Sequence, residues 1–286
     1  MGLFTRLKMG LVLTKDSLIV IRHYPRLMLF PLLSGVAGLG FLVLFFGVTF
    51  GFMQVSPEGG ALVGLLLIYL MLTFVSSFFT AALVHQTREA FDGKPVSLRD
   101  GISAAWDVKG PIFVWSLVAA TIGVIINSLE NSNSSAARIF GTIFGFAWTV
   151  LTFLIIPTIV FERTSTTGMF KRSGQLFKQT WGETPISLVA INIISFVVVI
   201  PFALVGYGAL SAGLVLTGIA IILAGILVAF LLTQTLQGVV KTALYVYATE
   251  GTTPGEFENV EMGDIPTAQD RSGGMSGPPR MGGGFH

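Results

Sequence analysis

The chain has 286 residues, of which 52% are hydrophobic and 11% charged, with a formal net charge of +2. Soluble domains carry about 25% charged residues, so a chain this apolar lacks the polar surface to cover a core in water, and lipid is its expected solvent. The positive excess is too small to argue for nucleic acid as a partner, and the absence of cysteine excludes disulfides and thiolate chemistry.

The opening segment carries Arg6 and Lys8 around an apolar stretch too short and broken for a secretory leader, so no cleavable leader is expected. The start resembles a myristoylation signal, but Arg6 stands where Ser or Thr is required. Leu3, Phe4, Leu7 and Leu11, then Leu18, Ile21 and Tyr24, recur at helical spacing up to a Tyr24-Pro25 corner. Apolar runs follow at 27–52 and 61–84, joined by a short turn at 54–60, each long enough to cross the hydrocarbon as a helix. Next, Ser97 is placed to cap a second amphipathic helix with Asp100 at its third position and Leu98, Ile102, Ala105 and Trp106 on one side. A Lys109-Gly110-Pro111 corner leads to runs at 112–126 and 139–161, separated by 127–137. In the third such helix Met169, Phe170, Ser173, Leu176, Phe177 and Trp181 oppose Lys171, Arg172, Gln175, Lys178 and Gln179. A Glu183-Thr184-Pro185 corner opens the last runs, 186–207 and 213–232. Pro31, Pro157 and Pro201 are expected to bend the first, fourth and fifth spans.

The fold class is therefore an all-α membrane protein: six transmembrane helices arranged as three helical hairpins, each preceded by a cytoplasmic amphipathic helix. Of all the Lys and Arg residues, Arg138 alone falls on the side opposite the others. Positive loops stay inside, which places both termini in the cytoplasm. Asn133-Ser134-Ser135 on the far side fits a glycosylation sequon, a tripeptide common by chance. The returning spans share Leu72-Thr73-Phe74, Leu151-Thr152-Phe153 and Leu232-Thr233-Gln234. Together with the three corners, these suggest an internal repeat with units of about 1–93, 94–168 and 169–257. Residues 1–257 form the membrane domain and 258–286 a tail rich in Gly, Ser and Pro, too poor in apolar residues to bury a core and expected to be disordered in the cytoplasm.

The run from Lys171 to Gln175, Leu176, Phe177, Lys178 and a closing Trp181-Gly182-Glu183 resembles the hallmark of an uncharacterised family of prokaryotic six-span membrane proteins, a domain of unknown function. The exit Tyr245-Val246-Tyr247-Ala248-Thr249-Glu250-Gly251 and Pro254-Gly255-Glu256-Phe257 is similar to that family's end. The resemblance covers residues 3–257 and implies a multi-pass protein of a prokaryotic plasma membrane, with no activity to carry over.

The spans read as free of Asp, Glu, Lys and Arg, with Asp107, Glu130, Glu162, Lys241 and Glu250 at their ends. That argues against a proton-coupled pump. Polar residues inside them, such as Ser76, Ser77, Thr80, Thr149, Thr152, Ser195 and Thr233, read either as a cavity lining or as interhelical hydrogen bonds. Asn192, Gln234 and Gln237 form the best in-membrane polar cluster. Gly47–Gly51 and Gly141–Gly145 permit close helix approach, within the bundle or between copies of the chain as a homo-oligomer. His23, His85 and His286 are too scattered for a metal set, and no nucleophile elbow or phosphate loop is present. No catalytic, metal or cofactor site is assigned, and the chain is not expected to be an enzyme. Lys171, Arg172, Lys178, Trp181 and Trp106 are the expected contacts with anionic lipid headgroups or a partner helix, or plain interfacial anchors. In the tail, Met275, Arg280, Met281 and Phe285 are candidates for docking a cytoplasmic or membrane protein. The first functional expectation is a non-enzymatic scaffold or assembly factor. The alternative is a transporter or channel for a neutral or lipid-like solute.

Overall fold

The structure is a computed structural model, and it describes residues 3–55, 57–162, 166–179 and 183–251. Among these residues there is no strand. Helix α1 (Leu3–His23) ends at Tyr24, and Pro25 opens a short 3-10 turn, Pro25–Met28. Then come α2 (Leu29–Val55), α3 (Pro57–Phe91), α4 (Leu98–Asp107) and α5 (Lys109–Glu130). They are followed by α6 (Ser135–Leu151), α7 (Ile155–Glu162), α8 (Thr166–Gln179), α9 (Glu183–Ser211) and α10 (Val215–Glu250).

Six segments are long and apolar enough to cross a bilayer: Pro25–Val48, Val63–Phe91, Lys109–Glu130, Ser135–Glu162, Ala190–Ser211 and Val215–Glu250. They overlie the six runs read from the sequence, and the chain is a multi-pass membrane protein by that measure. The three corner prolines stand within the first turn of the elements they open, where the missing N–H has no intrahelical partner to lose. Ser97 caps α4 as expected, its hydroxyl accepting from the Asp100 N–H at 3.3 Å. Its own N–H donates to Gln86 Oε1 at 2.7 Å, which pins α4 to α3.

The bundle is packed unevenly along its length. With 35 and 36 residues, α3 and α10 run about 52–54 Å at 1.5 Å per residue, well beyond the ~30 Å hydrocarbon. Their C-terminal halves are buried: Ala81, Ala82, Leu83 and Val84 of α3, and Val239, Val240, Ala243 and Leu244 of α10. These residues share one core with α1, α4, α7 and α8. Ion pairs stitch this basic end together. Arg88 of α3 donates to both carboxylate oxygens of Glu250 at 2.7 and 3.1 Å. The first half of α10 is the opposite case, with Leu216 at 85% exposure and Ile219, Leu223 and Ile226 also exposed. Apolar exposure of this kind is a lipid-facing surface.

Several expectations change on contact with the structure. Pro31 lies in the first turn of α2 and starts that helix rather than bending it. Pro201 sits inside an unbroken α9. The fourth span breaks outright, at residues 152–154, just before Pro157. Pro157 has no N–H to donate to the Phe153 carbonyl, so the ladder fails one turn upstream. Ile155 N–H turns to Thr152 O at 3.1 Å, and the freed Leu151 carbonyl accepts from the Ser173 hydroxyl of α8 at 3.1 Å. Gly141 and Gly145 pack against α5 residues Ile126, Leu129 and Glu130, whereas a methyl group at Gly47 or Gly51 would meet nothing within 4 Å. Among the described glycines the closest backbone approach is instead between α9 and α10. A Cβ on Gly218 would lie 2.7 Å from the Gly206 carbonyl. Finally, α1 is more than a surface helix: Ile21 is buried together with Thr14, Asp16 and Ser17, and α1 packs on α9 and α10. The side chains of Leu3, Phe4, Leu7 and Leu11 lie outside the described residues.

Candidate functional site

Helix α3 contributes Tyr69, Thr73, Ser76 and Thr80 to two cavities inside the spans, and Ser76 and Thr80 line both of them. The larger has a volume of about 950 Å³, near the top of the range for ligand sites (roughly 300–1,000 Å³). Its other walls come from Trp115 of α5, Thr149 of α6, Thr152 and Phe153 at the break, Asn192 of α9, and Gln237 and Lys241 of α10. The smaller, about 570 Å³, lies between α2, α3 and α10 and is mostly apolar, with Gln234 among its few polar groups.

The fourth-span break builds one wall of the larger cavity. Irregular backbone at membrane depth is tolerated where protein or a water-filled cavity covers it. Here Thr149 and Thr152 donate to their own helix, to Gly145 O at 2.9 Å and Trp148 O at 2.7 Å, so they offer the cavity oxygen lone pairs. Opposite, the Trp115 indole donates to Ser77 Oγ at 3.2 Å and stacks on Trp148 with ring centroids 5.9 Å apart. Hydroxyls elsewhere in the spans also bond mainly to their own backbone; Ser195 with Thr233 is the exception that joins α9 to α10. The expected network of interhelical hydrogen bonds is therefore sparse among the described residues.

Lys241 was expected at the end of its span. The helix continues to Glu250, which leaves Lys241 more than two turns inside, in the wall of the cavity. Its ammonium lies 5.1 Å from the centre of the Phe153 ring. One turn further along α10, the Tyr245 hydroxyl donates to Glu162 Oε1 at 3.2 Å, and Arg172 Nε donates to the same oxygen at 2.7 Å. These three side chains form a triad at the basic end of the bundle. Among the described residues α9 packs on α10 and α1 and has no comparable seam with α6 or α7, so the side between Asn192 and α6 is the open one.

The proposed polar cluster is thus divided. Asn192 and Gln237 share the larger cavity, and Gln234 faces the smaller one. Of the expected interfacial residues, Lys171 is exposed and Arg172 is held by Glu162. Trp106 is 59% exposed, in a T-shaped pair with Phe78 and with the Lys109 ammonium 4.7 Å from its centre. The side chains of Lys178 and Trp181, and the tail positions Met275, Arg280, Met281 and Phe285, lie outside the described residues. Sequence reasoning missed Lys241, although a signal was there: Gln234, Gln237 and Lys241 follow one another at one-turn intervals along a single helix.

Residues 60–255 match the model of a family described as a family of unknown function, DUF6159. The chain belongs to that family. The match begins within α3 and runs past α10, narrower than the resemblance read from residues 3–257, and it contains every residue that lines the larger cavity of this DUF6159 chain. No curated protein and no solved structure matches the chain.

Proposed function

We propose that this DUF6159 protein is a carrier or channel that admits a lipid-like solute to the cavity between α3, α5, the broken fourth span and α10. The observation that carries this reading is the cavity itself: about 950 Å³ inside the spans, with aromatic walls, a few polar groups and an open side toward α9. A scaffold needs no such void, since an apolar interior gains dispersion energy by filling it. The scaffold reading drew on an uncharged interior and on the tail; Lys241 weighs against the first, and the tail lies outside the described residues.

In this proposal the chain acts without chemistry of its own, in the plasma membrane of a prokaryote with both termini cytoplasmic. Three hairpins, α2–α3, α5–α7 and α9–α10, each follow an amphipathic helix, α1, α4 or α8. Support comes from the packing of α2 on α3, α5 on α6 and α9 on α10, and from a proline at the start of each pair. Exposed Lys171 and Trp106 suit contact with anionic headgroups. The test is a photoreactive diazirine side chain at Ile156, a buried position on the cavity wall. Illumination in native membrane should yield a covalent adduct with the mass of an amphiphile. The same group at Leu236, buried in the core, should give only cross-links within the protein. Identical, lipid-free products at both positions would refute the proposal.

A further inference from the structure

The geometry points to an anionic amphiphile as the solute, an acyl chain ending in a carboxylate or phosphate, with Lys241 as the group that receives its head. This rests on the carrier reading above and names the substrate class for the same cavity. Side chains on an α-helix lean toward its N-terminus, and the C-terminus of α10 is at the basic end, tied to Arg88 through Glu250. Lys241 therefore leans away from that end, toward the middle of the spans. Its ammonium rests on the ring of Phe153, whereas Tyr245, one turn later on α10, meets Phe161 and Glu162 near the end of α7. A lysine that merely escaped lipid would snorkel toward the headgroups, and this one is directed the other way.

Among the described residues the charge also lacks a protein counter-ion. Among the described residues Lys241 forms no ion pair, and the nearby carboxylate of Glu162 is already engaged by Arg172 and Tyr245. An ammonium in a low-dielectric site without an anion is costly. The other cavity groups cannot neutralise it, since Ser76, Thr80, Thr149, Thr152, Asn192 and Gln237 are uncharged. The aromatic and aliphatic remainder of the wall suits an acyl chain, and the open side between α9 and α6 faces the bilayer that supplies it. Head and tail of one amphiphile thus match the two kinds of wall.

The experiment uses tryptophan emission of the full chain in neutral detergent, with Trp106→Phe and Trp181→Phe so that cavity residues Trp115 and Trp148 report alone. Quenchers are a dibrominated fatty acid, a dibrominated phosphatidic acid, and the dibrominated fatty alcohol as the neutral control. The expected result is half-quenching by an acid at a concentration about tenfold or more below that of the alcohol, the scale of one ion pair. The fatty acid and phosphatidic acid arms distinguish a free lipid acid from a phospholipid head. Lys241→Met should abolish the preference without changing the alcohol, and Lys241→Arg should restore it. Equal quenching by acid and alcohol in the unsubstituted site would overturn the anionic assignment and leave the lipid-like cavity standing. No quenching by any of the three would overturn both.

Discussion

Gly238 is the position where a single methyl group interrogates the packing that shapes the cavity wall. It lies between Gln237 and Lys241 on α10, and a Cβ there would overlap Leu83 Cδ2 and fall 2.8 Å from Leu83 Cγ. Leu83 is itself buried beside Ala81, Ala82 and Val84, and the smaller cavity it lines is the space into which it can yield. Gly→Ala within a helix gains about 1 kcal/mol of backbone preference, while overpacking a filled core costs about 1–3 kcal/mol. The net effect of Gly238→Ala is a loss of up to about 2 kcal/mol. Gly47→Ala is the control: nothing lies within 4 Å of its Cβ, so only the gain of roughly 1 kcal/mol remains. Reversible unfolding in detergent micelles should separate the two variants by about 1–3 kcal/mol. Leu83→Ala should cost about 2–5 kcal/mol alone, and less on the Gly238→Ala background, since the new methyl occupies part of the hole. Equal shifts for Gly238→Ala and Gly47→Ala would refute the packing of α10 on α3.

Ser173→Ala removes the donor that satisfies the Leu151 carbonyl at the helix break. It should destabilise the protein by about 1–2 kcal/mol, whereas Ser211→Ala, an exposed hydroxyl bonded to its own helix, should change little in the same unfolding assay. Glu162→Gln weakens the bonds to Arg172 and Tyr245. With Glu162 at 18% and Arg172 at 36% side-chain exposure, solvent screening limits the loss to ~1 kcal/mol. A double-mutant cycle with Arg172→Gln should return a coupling of similar size, and zero coupling would remove the triad from the account.

What the sequence disclosed and what it withheld divide along physical lines. The six spans were legible because apolar runs of sufficient length have no other home than lipid. The Ser97 cap and the Pro-marked corners were legible because each is a local backbone event. Span length was not: hydropathy fades at Leu232, yet α10 continues to Gly251, whose positive φ of 68° ends it. The polar residues after Leu232 are buried or half-buried by α3, α7 and α1, which only tertiary packing supplies, and so Lys241 looked terminal when it is internal. Gln234 and Gln237 share a helix face in one dimension, but α3 passes between them and gives each its own cavity. The Gly47–Gly51 pattern was misleading for the same reason. Spacing identifies a smooth helix face, and only a neighbouring helix decides whether it is used.

The account depends on a cavity with a few polar groups in its wall inside the bilayer-spanning bundle, and the cysteine-free chain permits a direct measurement of it. Gln237→Cys lines the cavity, and Leu223→Cys sits on the exposed apolar surface of the same helix. In sealed proteoliposomes of mixed orientation, a small uncharged thiol reagent should modify Gln237→Cys at least ~10-fold faster than Leu223→Cys, because lipid suppresses the thiolate whereas the polar groups and Lys241 of the cavity favour it. An added lipid-like amphiphile should slow the reaction at Gln237→Cys. Two unreactive thiols would mean a closed, packed interior, and two equally fast ones would mean that these helices do not reside in lipid; either result contradicts the account.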